Sequence, residues 1–93
     1  DLSVSKSYAR QYMYISTSAQ GTHKYIADVK CGIINNQKVC AFLDRLVEAN
    51  GRVNDAYMVF VCDTYLYFPY GSPQMSAFAP PGSLMALAAN KMC

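Results

Sequence analysis

Four cysteines, Cys31, Cys40, Cys62 and Cys93, together with a single histidine, His23, and a single glutamate, Glu48, are the residues whose types could do chemistry. The cysteines are spaced C-x8-C, C-x21-C and C-x30-C, with no C-x2-C or C-x4-C pair. His23 lies eight residues before the first of them. This spacing serves a four-ligand zinc site poorly and suits two disulfides in a small domain outside the reducing cytosol. Each closure contributes about 2–4 kcal/mol, against a total stability of roughly 5–15 kcal/mol for a whole domain. A hydrolase needs a base or nucleophile poised by its neighbours, and one histidine with one glutamate is thin material for that. A reactive thiol needs a nearby histidine or an exposed helix N-terminus, and Cys40, the best placed, falls on an apolar stripe. The expectation is therefore a protein without catalytic residues, cofactor or metal.

The 93 residues suffice for one domain, 1–93, and with 53% of them apolar the disulfides supplement a core rather than replace it. Eight basic and six acidic side chains, scattered without runs, give a net charge of +2, too weak and diffuse for a nucleic-acid footprint or a polybasic membrane anchor. No stretch approaches the roughly 20 apolar residues of a membrane span. The start, Asp1-Leu2-Ser3, lacks a basic-then-apolar leader, as expected of a secreted chain already processed.

Positioning these residues is the task of the regular elements. Tyr8 to Thr17 alternates, Gly21 marks a turn, and His23 to Cys31 alternates again, which predicts a β-hairpin. Val39, Cys40, Leu43, Leu46 and Val47 recur at helical spacing after Asn35-Asn36 and before Gly51, which predicts a helix whose outer face carries Lys38, Asp44, Arg45, Glu48 and Arg52. The segment Ala56 to Tyr70 is rich in β-branched and aromatic residues and reads as a hairpin bent near Asp63-Thr64. Gly71 to Gly82, with three prolines, reads as a loop, and Ser83 caps a last helix over Leu84 to Met92. Strand, helix and strand in succession imply a right-handed crossover between parallel strands. The expected fold is a two-layer α+β sandwich: a four-stranded antiparallel or mixed sheet, two helices on one face and two disulfides. A bridge from Cys40 to Cys62 is then geometrically natural and leaves Cys31 for Cys93, while the pairing 31–40 with 62–93 stays open.

Alternation also sorts the aromatic residues. With Met13, Ile15, Tyr25, Val29, Met58, Phe60 and Leu66 directed at the helices, the opposite face receives Tyr12, Tyr14, Tyr57, Val59, Val61, Tyr65 and Tyr67 beside Arg10 and Lys24. Eight tyrosines and no tryptophan point to a contact surface, because tyrosine joins a large apolar area to a polar tip at little rotamer cost. The candidate binding residues are Tyr12, Tyr14, Tyr57, Tyr65, Tyr67 and Arg10. The competing reading is that the loop 72–81 or the last helix folds over this face and makes it core.

Two local likenesses add little. Tyr14-Ile15-Ser16-Thr17-Ser18 is similar to the aromatic-x-S-T-S strand of toxin-type ADP-ribosyltransferases, but Glu48 falls in the predicted helix, away from where their catalytic glutamate sits. Cys31-Gly32, Tyr67-Phe68-Pro69 and the terminal Cys93 resemble the small fungal ribonuclease fold, with Leu66 and Tyr67 where an acid would be wanted, so that likeness implies a fold without the activity. Taken whole, the chain resembles the small secreted, cysteine-bridged avirulence effectors of plant-pathogenic fungi. That resemblance implies a virulence function exerted by binding a host protein or a co-secreted effector, as a homo- or heterodimer, with no nucleic acid. A ribonuclease-like secreted protein and a killer-toxin-like antimicrobial protein are the alternatives.

Overall fold

The computed structural model describes residues 10–93. Its chain forms six strands, β1 (Met13–Thr17), β2 (His23–Ile34), β3 (Gln37–Val47), β4 (Val53–Val61), β5 (Leu66–Pro69) and β6 (Ala77–Phe78), followed by helix α1 (Leu84–Met92). Every strand pairs antiparallel with its predecessor, so the sheet is a simple meander in the order β1 to β6. The expected four-stranded sheet with two helices on one face is overturned: the chain is a six-stranded antiparallel curled sheet with one C-terminal helix. No helix lies between β2 and β4, and among the described residues there is no crossover and no parallel pair.

The correction turns on residues 35–51. Asn35 and Asn36 do not cap a helix; both take positive φ, 52° and 64°, and form the two-residue turn that joins β2 to β3 with Ile34 opposite Gln37. That turn matches the right-handed twist of a hairpin and is one of the few places where asparagine tolerates the left-handed region. Between them Val39 to Leu43 is an unbroken apolar run, and a short run of that kind suits a strand flanked on both sides as well as it suits a helix. β3 lies between β2 and β4, and Cys40, Phe42 and Leu43 are all almost fully buried. Gly51 does supply a positive φ, but in the β3–β4 turn, where its N–H donates to the Glu48 carbonyl.

Other expectations hold. β1 and β2 form the first hairpin around Gly21, β4 and β5 the last around residues 62–65, and the Ser83 Oγ caps α1 by accepting from the Ala86 N–H at 3.2 Å. Tyr8 and Ala9, assigned to the first strand, lie outside the described residues. The loop 71–82 contains a single 3-10 turn, Pro73–Met75, and the short β6.

α1 packs on one face of the sheet. Ala86, Ala88 and Ala89, small enough to let the helix lie close, meet Ile26, Cys40, Phe42 and Phe60, with Met85 and Met92 filling the flanks. Ala79, at the end of the loop, is wholly buried in this same cluster, so the loop folds toward the helix side.

The disulfides are Cys31–Cys40 and Cys62–Cys93, the pairing left open above, and not 40–62 with 31–93. A bulge decides it: Ala27 faces Leu43 and Lys30 faces Ala41, so Asp28 and Val29 together oppose Phe42. The extra residue reverses the alternation and turns Cys31 onto the helix face, directly opposite Cys40 at a Cα–Cα distance of 4.0 Å. Cys62–Cys93 then ties the end of α1 to the turn after β4. The two bridges lie side by side, with Cys40 and Cys62 sulfurs 3.9 Å apart, which accounts for the close cluster of Cys40, Cys62 and Cys93 as disulfide sulfur.

Candidate functional site: a tyrosine–arginine sheet face

Residues directly opposite in an antiparallel pair project from the same face. Tyr14 faces Tyr25, Tyr25 faces Arg45 and Arg45 faces Asp55, so one cross-strand row runs over four strands. A second row holds Thr17, His23, Val47 and Val53, and a third Ala27, Leu43 and Tyr57. All three lie on the face turned away from α1.

Side-chain contacts bind these rows together. Arg45 donates through Nε and Nη2 to the two carboxylate oxygens of Asp55, each at 2.8 Å. Its guanidinium carbon stands 4.3 Å from the centre of the Tyr12 ring. A planar guanidinium can make both contacts at once, edge to the carboxylate and face to the ring, which an ammonium cannot. Tyr14 and Tyr25 pack edge to face with centroids 5.6 Å apart. The Tyr14 hydroxyl, Thr17 Oγ1 and His23 Nδ1 form a hydrogen-bonded chain, with Thr17 Oγ1 and His23 Nδ1 2.7 Å apart. Arg10 donates from Nε to Asp28 at 2.8 Å and from Nη2 to the Tyr57 hydroxyl at 2.9 Å, tying the residues before β1 to β2 and β4.

The electrostatic consequence is local. The hydrogen bond from Arg45 holds the Asp55 carboxyl below the ordinary carboxylate range, and the same bond raises the Arg45 guanidinium. Arg10 is raised chiefly by its hydrogen bond to Asp28. Both arginines are therefore fixed in place, Arg45 between Asp55 and the Tyr12 ring and Arg10 between Asp28 and the Tyr57 hydroxyl. Ala27, Leu43 and Val59, on the same face, are buried, whereas Tyr14 and Tyr57 are each about half exposed, 52% and 53%. Among the described residues the segment 10–12 lies on this face, Arg10 bonded to Asp28 and Tyr57 and Tyr12 against Arg45, while α1 packs on the other.

Of the six residues expected on this surface, Tyr12, Tyr14, Tyr57 and Arg10 are brought together on it. Tyr65 and Tyr67 are not: both pack against the helix-side core, and the Tyr65 ring meets Phe60 edge to face at 5.3 Å. Val61 pairs with Leu66 and Phe60 with Tyr67, so the four-residue turn exchanges odd and even positions between the faces. Tyr67 therefore joins Phe60, and Leu66 turns away from the helix. In the first hairpin a register shift between Tyr14 and Ser16 does the same, so Tyr25, expected to face the helices, joins Tyr14. Lys24, expected beside the tyrosines, is 2% exposed on the opposite face and paired there with Asp44. Arg45 and Asp55 were missed as members, because only strand register puts them opposite each other.

His23 opens β2 and Glu48 follows the end of β3, and their side chains lie on separate sides. His23 bonds Thr17 on the tyrosine face, while Glu48 accepts from Asn54 Nδ2 and borders a shallow depression with Leu46. No helix among the described residues is long and apolar enough to cross a membrane. Comparison with protein-family models, with curated proteins and with solved structures finds no match to this chain.

Proposed function

We propose that the protein is a non-enzymatic binding module that works outside the reducing cytosol, engaging a partner protein through the tyrosine–arginine face. The observation that carries the reading is the four-strand row Tyr14–Tyr25–Arg45–Asp55, flanked by Tyr12, Tyr57 and Arg10, in which Tyr14 and Tyr57 are about half exposed. Tyrosine and arginine are the residues that dominate the energetics of protein interfaces. Here their rotamers are already fixed by mutual contacts, which reduces the entropy lost on binding. The two disulfides are compatible with an extracellular site of action. The resemblance to small secreted fungal effectors supports the same picture: a host or co-secreted protein bound by a rigid, cysteine-bridged surface.

Size-exclusion chromatography with light scattering tests this on the oxidised protein, alone and with a candidate partner. Tyr14→Ser/Tyr57→Ser removes any self- or partner association with the circular dichroism spectrum unchanged, whereas Glu48→Gln, away from this face, leaves association intact. Association indifferent to the tyrosine pair, or function lost with Glu48→Gln in a folded protein, sinks the reading.

A further inference from the structure

On the opposite side of the sheet, a groove of about 430 Å³ opens beside the N-terminal end of α1, bordered by Leu46, Met58, Tyr67 and Leu84, with Lys24 and Asp44 in its wall. That size suits a small molecule. Lys24 is the largest of the fully buried side chains, and its ammonium makes a single hydrogen bond among the described residues, to Asp44 Oδ1. An ammonium has three donors and a carboxylate has two acceptor oxygens, so the pair retains both donor and acceptor capacity. Stability does not call for such a pair, since apolar side chains of similar volume serve a core as well or better.

We propose that this groove binds a small apolar molecule bearing one hydroxyl group, whose oxygen accepts from Lys24 Nζ and whose proton is donated to the Asp44 carboxylate. A hydroxyl is the simplest group that does both. It adds no net charge, whereas a carboxylate ligand would bring a second negative charge beside the buried Asp44. A plain hydrocarbon would match the walls and leave the pair's remaining hydrogen-bonding capacity unmet. The site lies across the sheet from the tyrosine face and is independent of the role given to that face.

The probes are 2-naphthol, naphthalene and 2-naphthoate, each titrated into the isotope-labelled, oxidised chain while amide shifts are followed. The expected result is saturable shifts at Lys24, Leu46 and Leu84 with 2-naphthol, and affinity at least about tenfold above that for naphthalene. In Lys24→Met/Asp44→Leu the preference for naphthol over naphthalene falls to about unity. Leu84→Trp, which narrows the groove from the helix side and leaves the ion pair in place, removes naphthol binding and serves even if the double variant fails to fold. Equal affinity for naphthol and naphthalene in the wild type, tightest binding by 2-naphthoate, or shifts centred away from these residues overturns the proposal.

Discussion

Replacing Lys24 by methionine keeps an unbranched side chain only one atom shorter and removes its charge, so the electrostatic part of the buried pair dominates the change. Lys24 and Asp44 side chains are 2% and 10% exposed, so the charge left behind by removing its partner stays largely out of water. A buried pair broken by removal of one member costs about 3–5 kcal/mol, because the other charge is left uncompensated. Set against a typical domain stability of roughly 5–15 kcal/mol, that is a large fraction of the whole. Removing both charges in Lys24→Met/Asp44→Leu returns most of the loss, since Asp44 borders an open groove with room for the larger leucine. Urea unfolding followed by circular dichroism, for the wild type, Lys24→Met, Asp44→Leu and the double variant, reads both single costs and the coupling between them. A cost below about 1 kcal/mol for Lys24→Met would place the pair at the level of a solvated surface bridge and refute the burial argument.

The bridges differ in the chain they close. With sequence separations of 9 and 31, loop-closure entropy assigns about 2.6 kcal/mol to Cys31–Cys40 and about 3.7 kcal/mol to Cys62–Cys93. Cys62→Ala/Cys93→Ala should accordingly cost about 3–4 kcal/mol in urea unfolding and release the amides of α1 to faster hydrogen exchange; an unchanged midpoint would contradict it. Asp55, whose carboxyl is depressed in the folded state by Arg45, contributes stability that is present above its unfolded pKa and lost as pH falls through its lower folded pKa. A carbon-detected titration of Asp55 should therefore show a midpoint below that of an unstructured peptide, rising toward it in Arg45→Leu; identical midpoints in the two proteins would contradict the fork.

What was legible in the sequence was legible because it is local. Strict alternation gave the first hairpin, the aromatic run gave the last, and Ser83 before a string of helix formers gave α1. The stretch 36–50 misled because Val39, Cys40, Leu43, Leu46 and Val47 satisfy a helical period while Ala41 and Phe42 fill the gaps. Its fate is decided by neighbours on both sides, which no window of sequence contains. The tyrosine face was half recovered for a related reason. Parity along one strand is visible, but its transfer across a turn depends on pairing register, and register placed Tyr25 on the face and removed Tyr65 and Tyr67. The disulfide pairing likewise hinged on a single bulge at Asp28 and Val29, and Asp28 reaches the positive φ of 54° that few residues other than glycine and asparagine adopt readily.

The working surface itself is tested most directly by tyrosine nitration read by peptide mass spectrometry, on the free protein and on the assembly it forms. The account predicts that Tyr14 and Tyr57 react readily in the free protein and become protected on association, while Tyr65 and Tyr67, packed against the helix-side core, react slowly throughout. Rapid modification of Tyr65 and Tyr67, or an association that leaves Tyr14 and Tyr57 as reactive as before, would contradict it.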